Sequence, residues 1–144
     1  MPIINITATD AHARQADGAT FVDVRSTREF AAGHAVGALN VPLLEHDEET
    51  DQLVPNPDFI RVMKATFAVE TRLLISCQSG VRSLRASQML ETFGFQQIEN
   101  VLGGFGGARD GSATGWQPSG LPVENGASAG HAYQDLLERA DQDH

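Results

Sequence analysis

Short apolar segments of strand length alternate along the chain with segments whose apolar residues recur at helical spacing. The predicted strands are IINIT (3–7), TFVDVR (20–25), ALNVP (38–42), TRLLISC (71–77) and QQIENVL (96–102). The predicted helices are TATDAHARQA (7–16), STREFAAG (26–33), DFIRVMKATFAV (58–69) and SLRASQMLETFGF (83–95). This alternation predicts an α/β domain with a mainly parallel sheet and helices on both faces.

Polar residues mark the ends of the first two predicted helices. Thr9 and Asp10 are candidate N-caps of the first helix. The spacing of Ser26 and Glu29 is that of a capping box, and Gly33 ends the helix that this box begins. The sequence therefore places a strand, a turn and a short helix in succession over residues 20–33.

The connections are polar or rich in glycine. Residues 45–51 form an acidic stretch that we expect to be a solvated loop. A tight strand-to-helix turn is expected at Gly103, Gly104, Gly106 and Gly107. No repeat or domain boundary is evident. We therefore predict one domain over residues 1–124 and a polar tail over 125–144 that has room for one short helix.

Composition narrows the classes of partner. The chain has 144 residues, 41% hydrophobic and 20% charged, which is typical of a single soluble globular domain. A formal charge of −9 argues against nucleic acids and anionic lipids as partners. The sequence shows neither a signal peptide nor an apolar run of membrane-spanning length, so we expect no membrane association and a cytoplasmic location.

The chemistry of the chain points to Cys77, its only cysteine. Cys77 follows a predicted buried strand and precedes a helix expected to begin near Ser83, with Gly80 and Arg82 between them. Backbone N–H groups at such a strand-to-helix loop form an anion-binding concavity, and helix N-termini and nearby arginines favour the thiolate. The plain alternative is a buried small residue, the usual fate of an isolated cysteine. The loop context favours a reactive thiol, with Arg82 facing an anion at the loop mouth.

Loop length separates two kinds of anion chemistry. Phosphatases that attack phosphorus through cysteine use a C-x5-R loop, whereas this chain has C-x4-R: Cys77, Gln78, Ser79, Gly80, Val81 and Arg82. One residue fewer contracts the ring of N–H groups. The shorter ring suits the terminal sulfur of a cysteine persulfide better than a phosphate with four oxygens.

Five other residues invite a functional interpretation, and each also has a structural one. Asp23 and Arg25 are predicted to form a structural ion pair or loop hydrogen bonds. His34 is predicted to form a loop hydrogen bond in preference to general-base catalysis. Arg109 could supply positive charge near the loop mouth or form a salt bridge, and Trp116 is expected to be a packing aromatic. The histidines show no metal-ligand spacing, so no metal site is predicted.

The chain resembles the single-domain rhodanese (thiosulfate sulfurtransferase) family over residues 3 to about 124. Three segments carry the resemblance: FVDVRSTREFAAGHAVGALNVP (21–42), LLISCQSGVRS (73–83) and VLGGFGGARDGSATGWQPSGLPVE (101–124). Their order, spacing and predicted secondary structure agree with the family. Two features differ from it: Gln78 and Ser79 stand where some members have a basic residue, and 105–115 interrupt a usually compact G-G-x-x-x-W motif.

The resemblance implies a parallel five-stranded sheet and a persulfide enzyme without a cofactor. Cys77 would accept a sulfane sulfur from a small anionic donor such as thiosulfate and pass it to cyanide, a thiol or an acceptor protein. The loop Gln78, Ser79, Gly80, Val81 and Arg82 would stabilise the persulfide.

Two alternatives stay open from the sequence. One is a non-catalytic module that carries sulfur or binds a partner. The other, disfavoured by the short loop, is a phosphatase or arsenate reductase of the same fold.

Overall fold

A computed structural model describes residues 3–126 and 130–142. Its helices are α1 (Ala8–Ala16), α2 (Thr27–Ala32), α3 (Phe59–Thr66), α4 (Val81–Thr92) and α5 (Tyr133–Gln142). Its strands are β1 (Ile4–Ile6), β2 (Thr20–Asp23), β3 (His34–Ala35), β4 (Leu39–Asn40), β5 (Leu44–His46), β6 (Leu53–Pro55), β7 (Arg72–Ser76), β8 (Gln97–Val101) and β9 (Val123–Glu124).

The central sheet has five strands in the order β1-β8-β7-β2-β4, and every neighbouring pair is parallel. The predicted α/β class and the five-stranded parallel sheet are confirmed. Central strands of such a sheet are covered on both faces, which explains the continuous apolar run of β7. All five strands point their carboxyl ends toward one edge, and Cys77 follows β7 directly at that edge.

The sheet separates two hydrophobic clusters. Successive strand residues point to opposite faces, so Leu73 and Ile75 of β7 lie in one cluster and Leu74 in the other. Helices α3, α4 and α5 cover the first face, contributing Met63, Leu90 and Leu136 among others. Helices α1 and α2 cover the second face, where Trp116 joins Ala11 and Phe30.

Helix boundaries follow local capping chemistry. The capping box predicted for Ser26 and Glu29 is present, with Gly33 as the C-cap of α2. Helix α1 differs from the prediction, because Thr7 is its N-cap and Asp10 completes that capping box from within the helix. The sequence prediction places Thr7 in both the strand and the helix, and a threonine that ends a strand can also cap the next helix.

Three other expectations need correction. Helix α4 begins at Val81, two residues before the predicted start at Ser83, with Gly80 as its N-cap. The acidic connection contains an antiparallel hairpin of β5 and β6, not only a loop. After β8, residues 102–122 form turns and irregular backbone, so the glycines do not lead into a helix.

The segment expected to be a polar tail contains α5, which packs against α3. Leu136 of α5 is fully buried in the first cluster, Tyr133 Oη accepts a hydrogen bond from Asn56, and Asp141 pairs with Arg61. None of the helices in the described part of the chain has both the length and the apolar content that crossing a bilayer requires.

Candidate active site

The cysteine loop joins the end of β7 to the start of α4. Gly80 adopts φ 108°, a left-handed conformation that a side chain rarely tolerates, and this turn lets α4 begin at the next residue. No side chain caps α4, and no acidic residue lies in its first turn. The positive end of the helix dipole is therefore left available at the loop.

The sulfur of Cys77 lies inside this loop and is buried, with 1% of the residue exposed. The backbone N–H of Gly80 donates a hydrogen bond to Cys77 Sγ at 3.1 Å. Ser83 Oγ lies 3.4 Å from the same sulfur and 3.2 Å from the Gly80 carbonyl oxygen. A hydroxyl can rotate between these partners, so Ser83 accepts from a thiol or donates to a thiolate.

Arg82 pairs with Glu29 of α2, a contact that the sequence did not predict. Its two terminal nitrogens donate to the two carboxylate oxygens of Glu29 at 2.7 and 2.9 Å. Glu29 also accepts from Ser26 as the capping-box partner. The pair thus ties the first turn of α4 to the first turn of α2, and the carboxylate raises the pKa of Arg82 further above its ordinary value.

The ion pair between Arg82 and Glu29 makes the free energy of unfolding depend on pH in the acid range. Burial alone would raise the pKa of Glu29, but the hydrogen bonds and charge of Arg82, aided by Ser26, lower it to about 2 from 4.5. The stabilisation is therefore present above about pH 4.5 and is lost as the pH falls toward 2. We expect Glu29→Gln to flatten the acid limb of the free energy of unfolding, to which this half-buried group contributes about 1–2 kcal/mol in the wild type once solvent screening is allowed for. Urea denaturation at a series of pH values measures it.

Asp51 offers the matched control, because it pairs with Arg28 on the surface, where 73% of its side chain is exposed. Asp51→Asn should leave the acid limb nearly unchanged, since exposed ion pairs contribute little. Parallel acid limbs for wild type and Glu29→Gln would contradict the role given to this pair.

A second ion pair, which is buried, contacts the cysteine loop through Gln78. Asp23 is the last residue of β2 and Arg25 follows shortly after it. They are 2% and 3% exposed, which confirms the predicted structural pair. The guanidinium of Arg25 also donates to the Gly33 carbonyl and to Gln78 Oε1, at 2.7 and 3.2 Å. The guanidinium carbon of Arg25 lies 4.5 Å from the centre of the Phe105 ring, over its face. One side chain thus fixes both Gln78 of the cysteine loop and the segment after β8.

The segment after β8 is joined to the cysteine loop through its backbone. Phe105 N–H donates to the Cys77 carbonyl at 2.7 Å, and Gly106 N–H donates to the Gln78 carbonyl at 2.9 Å. Gly104 lies so close that a Cβ there would be 2.2 Å from the Cys77 carbonyl oxygen. Glycine is therefore required at this position by contact as well as by its φ of 53°.

Comparison with known proteins supplies the family. The profile of the rhodanese-like domain matches residues 7–109, more than half of the chain. The chain belongs to the rhodanese-like domain family. Thiosulfate sulfurtransferase 16, chloroplastic, of Arabidopsis thaliana is 32% identical over 120 residues, which cover 83% of this chain and 92% of that protein. Protein HIGH ARSENIC CONTENT 1, mitochondrial, of the same plant is 32% identical over 101 residues, covering 70% of this chain but only 59% of that protein.

A solved structure shares the architecture of this rhodanese-like domain. The crystal structure of Rv0390 from M. tuberculosis superposes with a TM-score of 0.72 at 26% identity, covering 88% of this chain and all of that one. The family resemblance stated from the three sequence segments is thereby confirmed.

The other residues predicted to surround Cys77 lie either on a groove beside the cysteine loop or against Arg25. Ser79, Gly80 and Val81 line a groove beside the cysteine loop, and Arg109 lies on the same groove. Gln78 is held by Arg25, as described above. The sequence analysis missed the contacts of Ser83 and Glu29 with this site. Ser83 directly follows Arg82 on α4, which is a usable signal, whereas nothing in the spacing of residue 29 shows that α2 lies beside α4.

His34 and Trp116 have the structural roles expected of them. His34 is buried, its Nδ1 lies 2.7 Å from the Phe30 carbonyl, and its ring stacks on that of Phe30. Trp116 is buried beside Phe21, and its indole N–H donates to the Pro122 carbonyl. Within residues 3–126 and 130–142, no three histidine, cysteine or acidic side chains are grouped so that they could hold a metal ion.

Proposed function

We propose that this rhodanese-like domain is a sulfurtransferase that carries a sulfane sulfur as a persulfide on Cys77. The observation that supports the proposal most directly is the position of Sγ at the uncapped N-terminus of α4, with the Gly80 N–H donating to it at 3.1 Å. A sulfur held there is stabilised as an anion by the helix dipole and the amide. The relative named thiosulfate sulfurtransferase supports the same class of reaction.

The proposed reaction has two balanced steps. The Cys77 thiolate attacks the outer sulfur of thiosulfate, forming an S–S bond while sulfite leaves with the electron pair of the broken bond. A thiophilic acceptor such as cyanide then attacks the outer sulfur of the persulfide, yielding thiocyanate and regenerating the thiolate. The thiolate form of Cys77 is the nucleophile in the first step.

Ser83 serves both states of the sulfur in this proposal. Its hydroxyl lies 3.4 Å from Cys77 Sγ and can turn its proton toward the sulfur or toward the Gly80 carbonyl. When the persulfide forms, the negative charge moves to the outer sulfur. The loop amides between Cys77 and Arg82 are the donors available to that charge.

The test is intact mass after incubation with thiosulfate, followed by cyanide. We expect the protein to gain one sulfur atom and to lose it on cyanide treatment, and we expect Cys77→Ala to gain none. A wild-type protein that stays unmodified by thiosulfate and by other sulfane donors would contradict the proposal. A loaded protein that cyanide and thiols leave unchanged would favour the sulfur-carrier alternative.

Reduction of arsenate is a second candidate, because one relative is named for high arsenic content. Arsenate is tetrahedral, like the phosphate that the six-residue loop is expected to exclude. Thiol-dependent conversion of arsenate to arsenite, lost in Cys77→Ala and faster than sulfur transfer, would favour this function over the first.

A further inference from the structure

A groove of about 540 Å³ lies beside the cysteine loop, between the first turns of α4 and residues 102–113. Its walls are largely apolar: Val81 is 72% exposed, and Leu84 and Leu102 are 40% and 39% exposed. Ser79 and Gly80 belong both to this groove and to the loop that holds Cys77. The groove therefore borders the site at which a persulfide would form.

The groove does not match the small substrates of the proposed reaction. Pockets of about 300–1,000 Å³ typically hold organic ligands larger than thiosulfate or cyanide. Those two molecules are hydrophilic and gain nothing from apolar walls. Asn100 at the floor adds a polar feature, because its side chain is buried and its Oδ1 has no partner in the described part of the chain. Buried acceptors are normally paired, so the floor has capacity for one more donor.

The positive charge around the groove is unpaired. Eight of the ten basic residues contact a carboxylate, a carbonyl or an aromatic ring: Arg14, Arg25, Arg28, Arg61, Lys64, Arg72, Arg82 and Arg139. Among the described residues, Arg85 and Arg109 make no ion pair and no side-chain hydrogen bond.

One of these arginines lines the groove, and the other lies beside a residue that lines it. Arg109 is on its lining, and Arg85 follows Val81 by one turn on the same exposed face of α4. Asp110 is the one acidic side chain among the lining residues, and it accepts a hydrogen bond from the Ser112 N–H. On a chain of net charge −9, two unpaired cations beside apolar side chains form a surface complementary to an acidic and apolar partner.

Resting on the proposed sulfur transfer, we propose that this groove docks the sulfur acceptor, a protein segment whose reactive cysteine is flanked by apolar and acidic side chains. The acceptor thiolate attacks the outer sulfur of the Cys77 persulfide. The S–S bond to Cys77 breaks, Cys77 leaves as thiolate, and the acceptor becomes the persulfide. Sulfur moves without an external oxidant or reductant.

The probe is the peptide acetyl-Asp-Leu-Cys-Leu-Glu-amide, compared with acetyl-Lys-Leu-Cys-Leu-Lys-amide at equal thiolate concentration. Protein preloaded on Cys77 is mixed with each peptide, and sulfur on both partners is followed by mass. We expect the charge-reversed variant carrying Arg85→Glu and Arg109→Glu to transfer sulfur to the acidic peptide about tenfold more slowly at low salt. High salt should reduce this difference, because it screens surface charges.

A matched control carries Arg72→Glu and Arg139→Glu, which change the net charge equally outside the groove. This control and the wild type should react alike with the acidic peptide. Wild-type rates in the groove variant, or a preference for the basic peptide, would overturn the docking proposal.

Binding is also measured without sulfur chemistry, so that failure of the proposed function is distinguishable. A fluorescent acidic peptide with serine in place of cysteine should bind the unloaded wild type and should bind the groove variant more weakly by anisotropy. Absence of binding overturns the docking proposal whether or not Cys77 loads. A concentration-dependent dimer in sedimentation that Leu84→Glu dissociates would also overturn it, because a second copy would then cover the groove.

Discussion

Arg25→Met is expected to lower the free energy of unfolding by about 3–5 kcal/mol, because it leaves the Asp23 carboxylate buried without its counter-ion. Asp23 is 2% exposed and accepts from Arg25 through three side-chain hydrogen bonds of 2.8 to 3.1 Å. The variant also removes the donor to Gln78 and the cation above Phe105. We therefore expect slower sulfur loading together with the loss of stability, measured by urea denaturation and by intact mass.

Two further variants test the cause. Combining Arg25→Met with Asp23→Asn removes the stranded charge and should recover part of the lost stability. Arg72→Met breaks a surface ion pair in which Arg72 Nη1 and Asp17 Oδ2 are 3.9 Å apart. This variant should lower the free energy of unfolding by less than about 1 kcal/mol. If Arg25→Met and Arg72→Met are equally stable, the buried pair does not support the fold as described.

Gly104→Ala is expected to displace the backbone that joins the segment after β8 to the cysteine loop. The added Cβ would lie 2.2 Å from the Cys77 carbonyl oxygen, a backbone atom that cannot rotate away. Overpacking of this kind typically costs about 1–3 kcal/mol, in addition to the cost of a left-handed alanine. We expect sulfur loading to fall about 100-fold, because a shift of about 1 Å in a reacting group has effects of that size.

Gly111→Ala separates the cost of the steric contact from the cost of the left-handed backbone conformation. Gly111 also has a left-handed φ, 77°, but a Cβ there meets nothing within 4 Å. This control should show the conformational cost alone and should load sulfur at the wild-type rate. Equal stability and equal loading in the two variants would show that the contact with Cys77 does not matter.

The sheet and the position of the nucleophile could be predicted because they depend on local patterns. The apolar run of β7, the capping box at Ser26 and Glu29, and the turn at Gly80 each act over a few residues, and the structure contains all three. The start of α4 was misplaced because Gly80 is an N-cap without a side chain. Without a side-chain signal, the next candidate for a helix start was Ser83.

The supporting contacts could not be predicted, because they join residues far apart in the chain. The bond between Arg82 and Glu29 spans 53 residues, as does the one between Arg25 and Gln78. Their partners become neighbours only when β2 and β7 pair in parallel, which brings the starts of α2 and α4 to one edge of the sheet. The groove depends in addition on how residues 102–113 pack, and no local sequence pattern predicts this packing.

The hydrogen bonds from Phe105 and Gly106 to the carbonyls of Cys77 and Gln78 have a consequence for turnover. They immobilise the two peptide groups that follow the nucleophile and leave its side chain free to gain or lose one atom. The conformational entropy of this loop is therefore lost once, during folding, and not again in each reaction cycle. Such preorganisation allows the unloaded and loaded forms to share one backbone.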